Sequence, residues 1–297
     1  MKTVKEVIKE GTESLIQRQY SQPLLEAQLL LAFVLDVSKQ YLYFNLEQSV
    51  TPTEYHIFRE LLHIRNQGYP LQYILRNQEF MGLDFYIEEG VLVPRPDTES
   101  VVERLIEEIK GLNWDQKRIR ILDIGSGSGA IGCSLAYYLP KSTVIGMDIS
   151  PIALKISTIN GSRLGLNNYH IIEQDIFADD GFMDKFDVIV SNPPYIANSH
   201  IMTLQTEVST YEPLMALAGG EDGLDFYRQI LKRLKDFIKP EGLLAFEIGF
   251  DQRLAVVSLM KKAEMFQSIQ VIQDLQGLDR GVLAFRMKED SFRPFDN

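Results

Sequence analysis

A chain of 297 residues with 45% apolar content can build one large or two modest domains with proper cores. Its net charge of −11 argues against a broad nucleic-acid surface, which needs a basic stripe, but not against a basic protein partner. The single cysteine, Cys133, excludes an intrachain disulfide and suits a reducing cytoplasm, and no apolar stretch is long enough to span a bilayer.

The polar start, Met1-Lys2-Thr3-Val4-Lys5-Glu6, lacks the apolar core of a secretion signal, so a cytoplasmic protein is expected. Cys133 lies in Ile131-Gly132-Cys133-Ser134-Leu135, which reads as a helix packed on a sheet, with the thiol in the core. His56, His63, His170 and His200 are scattered without metal-ligand spacing, so no metal is expected. His56 and His63 fall on one predicted helix and mark its solvated face.

Residues 1–76 read as helices only, a small bundle. Val4, Val7, Ile8 and Leu15 recur at helical spacing. Ser21-Gln22-Pro23 reads as a cap and an early helical proline. The run Leu24 to Leu35 is apolar on most faces and should lie at the bundle's centre. Thr51-Pro52-Thr53-Glu54 is a capping box opening a helix with Ile57, Phe58, Leu61, Leu62 and Ile64. Such a bundle suits either protein recognition or a purely structural cap.

Residues 77–94 change period. Phe80 to Ile87 alternates across Gly82, and Glu89-Gly90 reads as a turn, so a β-hairpin should join two domains. Pro94-Arg95-Pro96-Asp97-Thr98-Glu99 then opens an amphipathic helix, with Asp97 as the expected N-cap and Glu99 favouring the first-turn dipole. Arg95, held between prolines, is a candidate for function.

From Ile119 onward strands alternate with helices, which implies a parallel sheet in a domain spanning 95–297. The first strand ends in Asp123-Ile124-Gly125-Ser126-Gly127-Ser128-Gly129-Ala130, whose glycines let a backbone approach a ligand and turn into a helix. The second ends at Asp148-Ile149, about twenty residues beyond Gly125, the usual offset for an acid that takes ribose hydroxyls. The third ends in Asp175-Ile176-Phe177, an acid with an apolar edge suited to an adenine. The fourth, Phe186 to Ser191, delivers Asn192-Pro193-Pro194-Tyr195. Two prolines cannot continue a ladder, so the chain leaves the sheet stiffly at the carboxyl edge, where such sheets bind ligands. The Asn192 amide, the Ser191 and Pro193 carbonyls and the Tyr195 ring together suit a planar –NH₂ substrate.

Residues 196–222 show little regular pattern and read as a lid, with Tyr211 and Glu212 as possible substrate contacts. A helix (226–238), a strand (242–248), a helix (252–262) and an antiparallel strand pair (268–273, 282–287) should complete the sheet, followed by a polar tail.

The glycine loop with Asp148 also satisfies a dinucleotide fingerprint, so NAD and hydride transfer have to be weighed. Asp123, just before the glycines, would repel a pyrophosphate but attract a sulfonium or an ammonium. S-adenosylmethionine offers both, with a ribose diol and an adenine, and it is the expected cofactor. A nucleic-acid amine methyltransferase and a non-catalytic adaptor are the other readings; the acidic balance disfavours the first.

Taken together, Asn192-Pro193-Pro194-Tyr195, Arg95-Pro96-Asp97-Thr98-Glu99, Asp123-x-Gly125-x-Gly127-x-Gly129, Tyr211-Glu212-Pro213 and Gly277-x-x-Arg280 resemble the release-factor glutamine methyltransferases, the HemK or PrmC family. Ser126 stands where many members carry threonine. The resemblance implies a Rossmann-like class I methyltransferase sheet with a small all-helical N-terminal domain joined by a β-hairpin. It implies methyl transfer to the glutamine amide of the Gly-Gly-Gln motif in peptide chain release factors, a step bearing on translation termination. Asn192, Pro193, Pro194 and Tyr195 would be catalytic and would contact substrate with Arg95, Tyr211 and Glu212. Asp123, Gly125, Ser126, Gly127, Ser128, Gly129, Asp148, Ile149, Asp175, Ile176 and Asn192 would bind the cofactor. The enzyme is expected to act as a monomer, with no direct nucleic-acid or membrane partner, its acidity steering a basic protein.

Overall fold

The computed structural model describes residues 1–16, 22–178 and 185–286. The chain divides into two compact units, Met1–Asn77 with Gln205–Tyr211, and Gln78–Leu204 with Glu212–Asn297. No helix among the described residues is long and apolar enough to cross a membrane.

The first unit contains α1 (Val4–Leu15), α2 (Pro23–Leu35), α3 (Lys39–Phe44), α4 (Pro52–Asn66) and α5 (Leu71–Leu75). The capping box expected at Thr51 is present: the Glu54 amide donates to Thr51 Oγ1, and Glu54 Oε2 accepts the Thr51 amide at 2.7 Å. Ser21 lies outside the described residues, and α2 opens from Gln22 without a side-chain cap. As its composition predicts, α2 is central, packing on α1, α3, α4 and α5. Its outer face nevertheless leaves Leu24 and Phe33 about half exposed. Val4, Val7 and Leu15 close on Ala27, Leu30 and Leu31 and on Phe58 and Leu62 of α4. His56 and His63 are exposed on α4.

One charged group is built into this bundle. Arg65, 3% exposed, donates from Nε and Nη2 to Glu26 of α2 at 2.6 and 3.0 Å, and from Nη1 to the Tyr69 carbonyl. Its Nη1 also lies 2.9 Å from Glu207 Oε1. Glu207 belongs to a short helix, Thr206–Tyr211, within the stretch expected to be an irregular lid. Tyr211 packs edge-on against Tyr69, ring centres 5.2 Å apart, and its hydroxyl donates to the Gln67 carbonyl. This part of the stretch is therefore anchored in the helical unit by buried charge and aromatic packing, which its own polar pattern does not reveal.

The second unit opens with a hairpin, β1 (Gln78–Phe80) and β2 (Leu83–Phe85). It turns at Met81-Gly82, where both residues have positive φ, rather than at Glu89-Gly90, which lies beyond the paired strands. The Glu99 carboxylate accepts the Met81 amide and fixes that turn. α6 (Pro96–Gly111) buries Val101, Val102, Leu105, Ile106 and Ile109, the face its periodicity predicts. Its N-cap is Arg95, with Pro96 in the first turn, so Asp97 is not the cap. Asp97 instead pairs with Arg280 at 2.9 Å.

β3 (Arg120–Ile124), α7 (Ala130–Tyr138), β4 (Thr143–Asp148), α8 (Pro151–Arg163), β5 (Tyr169–Glu173) and β6 (Phe186–Ser191) alternate as predicted. After 3₁₀ turns at Asn198–Thr203 and Leu214–Ala216, which flank the helix Thr206–Tyr211 (α9), come α10 (Asp225–Phe237), β7 (Ile238–Glu247), α11 (Arg253–Lys262), β8 (Phe266–Gln273) and β9 (Asp279–Arg286). They form a seven-stranded sheet of order β5-β4-β3-β6-β7-β9-β8. β5 to β7 pair in parallel, while β9 runs antiparallel to β7 and β8, the predicted hairpin. β7 starts before the expected Gly242 because Ile238 already pairs with Phe186 across a register shift, and Glu241 takes the positive φ that the shift demands. The central strands are continuous apolar runs because helices cover both faces: Leu122, Ile189 and Leu244 pack with Ile230, Leu234, Phe237 and Val256.

Candidate functional site

Strand order reverses between β3 and β6, and the carboxyl edge at such a reversal is where open α/β sheets place a crevice. A cavity of about 250 Å³ opens at that edge. Four predicted groups line it: Gly125 and Gly127 after β3, Asp148 and Ile149 after β4, Asp175 and Ile176 after β5, and Asn192 with Pro193 and Pro194 after β6. Phe177 and Pro213 line it too, and residues not singled out in the sequence complete the wall, among them Leu92, Met147, Met215 and Phe226. Phe177 and Phe226 meet edge to face at 5.0 Å.

Gly125 and Gly127 hold φ of +71° and +56°, and a Cβ on either would meet no atom within 4 Å. The turn requires glycine for its backbone, and the space above it is open to the cavity. Asp148 supports this loop from below: Oδ2 accepts the Gly127 amide and Oδ1 the Ser150 amide, both at 2.9 Å. Asp175 accepts the Phe177 amide and so shapes the apolar edge.

Asp123 is placed differently from the expectation of a direct ligand contact. It is 1% exposed and does not line the cavity. Its Oδ2 accepts the Ser126 hydroxyl at 2.7 Å and the Gly132 amide at 3.0 Å. Burial pushes its carboxyl up to about 6, against the pull of those two donors. Ser126 also faces inward, bonded to Tyr169 Oη at 3.0 Å, so its hydroxyl anchors the loop and a threonine would keep that group. Ser128 is buried, and its carbonyl accepts the Asn160 amide. Gly129, with φ +82°, caps α7. Cys133 is buried, and burial raises its thiol, in keeping with a core residue.

Around the tetrapeptide the chain is held from several sides. Asn192 Nδ2 points at Thr98 Oγ1 of α6, 3.5 Å away. The Tyr195 ring packs against the main core rather than lining the cavity, and burial raises its phenol. Gln252 Nε2 donates to the Tyr195 carbonyl at 2.9 Å and to that of Gly223. The predicted lid runs alongside: at the Ile196–Ala218 bridge the Ile196 amide donates to the Leu217 carbonyl and the Gly219 amide donates to the Ile196 carbonyl. A Cβ on Gly223, whose φ is +76°, would stand 2.3 Å from the Tyr195 carbonyl oxygen, so the glycines here permit a backbone-to-backbone fit. Arg95 Nη2 donates to Glu212 Oε1 at 2.6 Å, and Glu212 is 6% exposed, so these two predicted substrate contacts hold each other. Tyr211 belongs to the helical unit described above.

One residue escaped the sequence reading. Glu247, the last residue of β7, is 3% exposed beside Thr98 and Asn192, and burial pushes its carboxyl up to about 7. The available signal was an acid inside the apolar run Leu243 to Ile248.

Comparison with known proteins agrees with this geometry. Residues 6–75 match the PrmC N-terminal domain, and residues 115–276 match a methyltransferase domain. A release factor glutamine methyltransferase of Clostridium acetobutylicum is 41% identical over 88% of this chain and 90% of its own length. One from Moorella thermoacetica is 39% identical over 97% of this chain and 100% of its own. Among solved structures, the hMettl16 catalytic domain shares the fold, with a TM-score of 0.52 at 14% identity over 84% of this chain and 85% of that one. On these matches, which run through both units, the chain belongs to the release factor glutamine methyltransferase family.

Proposed function

We propose that this enzyme moves a methyl group from S-adenosylmethionine to the side-chain amide nitrogen of the Gly-Gly-Gln glutamine in peptide chain release factors. The observation that carries the reading is the setting of Asn192. It lines the cavity at the end of β6 with Nδ2 turned to Thr98, and its Oδ1 accepts no hydrogen bond among the described residues. A primary carboxamide presents two N–H groups in one plane, and Asn192 Oδ1 with the adjacent Pro193 carbonyl offers two acceptors for them. Accepting both hydrogens orients the nitrogen and returns electron density to it, offsetting the delocalisation that makes an amide a poor nucleophile. The two prolines keep that pair of acceptors from relaxing away, so positioning supplies most of the acceleration.

The cavity residues suit the cofactor. The open space above Gly125 and Gly127 admits a close backbone approach. Asp148 keeps lone pairs for a ribose diol beyond those it gives to the loop, and Ile149, Ile176 and Phe177 form a flat apolar edge beside Asp175. Asp123, Ser126, Ser128 and Gly129 hold the loop's shape from within. When bound, the cofactor supplies an electrophilic methyl group on a positively charged sulfur. No histidine or lysine lines the cavity among the described residues, so the proton lost from the amide passes to solvent. In this reading Arg95 and Glu212 brace the substrate side as a pair. The chain works as a monomer on a protein, without direct contact to nucleic acid or membrane.

Incubation with labelled S-adenosylmethionine and a release factor, followed by mass mapping, should add one methyl group to the Gly-Gly-Gln glutamine. Label on another residue type would overturn the substrate. Asp148→Asn keeps one acceptor but turns the other into a donor facing a backbone N–H. It should weaken S-adenosylmethionine binding about ten- to a hundredfold by calorimetry. An unchanged Kd would remove Asp148 from the cofactor site.

A further inference from the structure

Behind Asn192 lies a buried polar cluster that the methyl-transfer scheme above does not use. Register puts it there: Ser191 pairs with Phe246, and Glu247 pairs with Gly281, so Glu247 sits at the carboxyl edge between Asn192 and Arg280. Its Oε2 is buried with no hydrogen-bond partner among the described residues. Thr98, 4% exposed in the first turn of α6, lies between the two: Asn192 Nδ2 reaches Thr98 Oγ1 at 3.5 Å, and Thr98 and Asn192 both face the Glu247 carboxylate closely enough to favour its ionised form.

We infer that Glu247 is the positioning residue of this site: through Thr98 and directly, its carboxylate holds the Asn192 amide with Nδ2 inward and Oδ1 towards the substrate. The reason is the inventory of donors. With the Thr98 hydroxyl turned to the Glu247 carboxylate, an asparagine amide turned over would set Oδ1 against the lone pairs of Thr98 Oγ1 and of that carboxylate. Only the Nδ2-inward orientation is satisfied, and it is the one that leaves an acceptor for a substrate N–H. This inference rests on the reading of Asn192 given above.

The orientation is conditional on ionisation. A protonated Glu247 becomes a donor and bonds Asn192 Oδ1 as readily as the ionised form bonds Nδ2. The groups facing it are Asp97 and Thr98 of α6, Asn192 and Tyr195 after β6, Arg280 of β9 and Tyr227 of α10. Burial is the main influence and raises its carboxyl, Asp97 adds to that, and Thr98, Arg280 and Asn192 lower it. Single-turnover methylation by the full chain should therefore rise with pH through about 7, where Glu247 ionises.

The test compares wild type, Glu247→Gln, Thr98→Val and Thr98→Ser with a release factor and S-adenosylmethionine across that range. Glu247→Gln should flatten this limb and lower kcat about tenfold on its alkaline side, with cofactor KM within about twofold. Thr98→Val should lower kcat similarly, and Thr98→Ser, which keeps the hydroxyl, should restore it. A wild-type rate flat or falling with pH here, or a Glu247→Gln rate with its limb intact, overturns the inference. The wild-type profile and the Thr98 pair decide the matter if Glu247→Gln does not fold. Asn192→Ala separates the two ideas: if it stays active the reading of Asn192 fails, and if it is dead while Glu247→Gln behaves as wild type only the role of Glu247 fails.

Discussion

Asn192→Ala is expected to reduce methyl transfer by about 10²–10³-fold or more while S-adenosylmethionine binds within a few-fold of wild type. The split follows from where the side chain sits. The loop at Gly125 and Gly127 and the acids Asp148 and Asp175 come from β3, β4 and β5, and truncation after β6 leaves them untouched. On the proposed reading, what goes is one of two fixed acceptors for the substrate amide, so the loss should fall on kcat with released substrate geometry, not on cofactor affinity. Asn192→Asp sharpens the comparison because it keeps the shape and an acceptor. It removes the Nδ2 donor aimed at Thr98 and sets a second carboxylate against buried Glu247, so it should also be strongly impaired. Calorimetry for the cofactor and single-turnover rates for transfer read the two effects separately. Near-wild-type transfer by Asn192→Ala would remove the amide-gripping role altogether.

How the chain announces this site is uneven, and the reasons are physical. β3, β4 and β6 are legible because strands covered on both faces become apolar runs ended by glycine, aspartate or proline. Their carboxyl-end residues, which line the cavity, are legible for the same reason, since the apolar run must break where a strand leaves the sheet. Glu247 was missed because it sits inside such a run, and its partners Thr98 and Asn192 come from distant parts of the chain. Asp97 looked like a cap by local pattern, but Arg95 already stands at that position and Asp97 is drawn to Arg280, a pairing only the fold creates. Asp123 looked like a ligand because it precedes the glycines; burial beneath the loop, with Ser126 and Gly132 as donors, makes it a brace instead. The stretch from Gln205 to Tyr211 carried no apolar stripe to mark it, because Arg65 and Tyr69 hold it by charge and ring contact.

Arg65→Ala should destabilise the helical unit by about 3–5 kcal/mol, the usual cost of stranding one partner of a buried ion pair. Arg65 is 3% exposed and its fork satisfies both oxygens of Glu26, itself 6% exposed, so truncation leaves a carboxylate buried in the bundle without its counterion. The same change releases the Tyr69 carbonyl and Glu207, loosening the anchor of α9, which runs directly into Glu212. Arg65→Lys keeps charge but not the fork, and should cost less while still losing at least one of these bonds. The chain provides its own discriminating probe. Its one tryptophan, Trp114, lies in the sheet unit, whereas far-ultraviolet circular dichroism also sees the helices of the first. Urea unfolding of Arg65→Ala should therefore shift the dichroism transition to lower denaturant ahead of the fluorescence transition. Coincident transitions at the wild-type midpoint would mean that Glu26 finds another partner and that the buried pair contributes little. A fluorescence shift as large as the dichroism shift would mean that the helical unit does not unfold separately from the sheet.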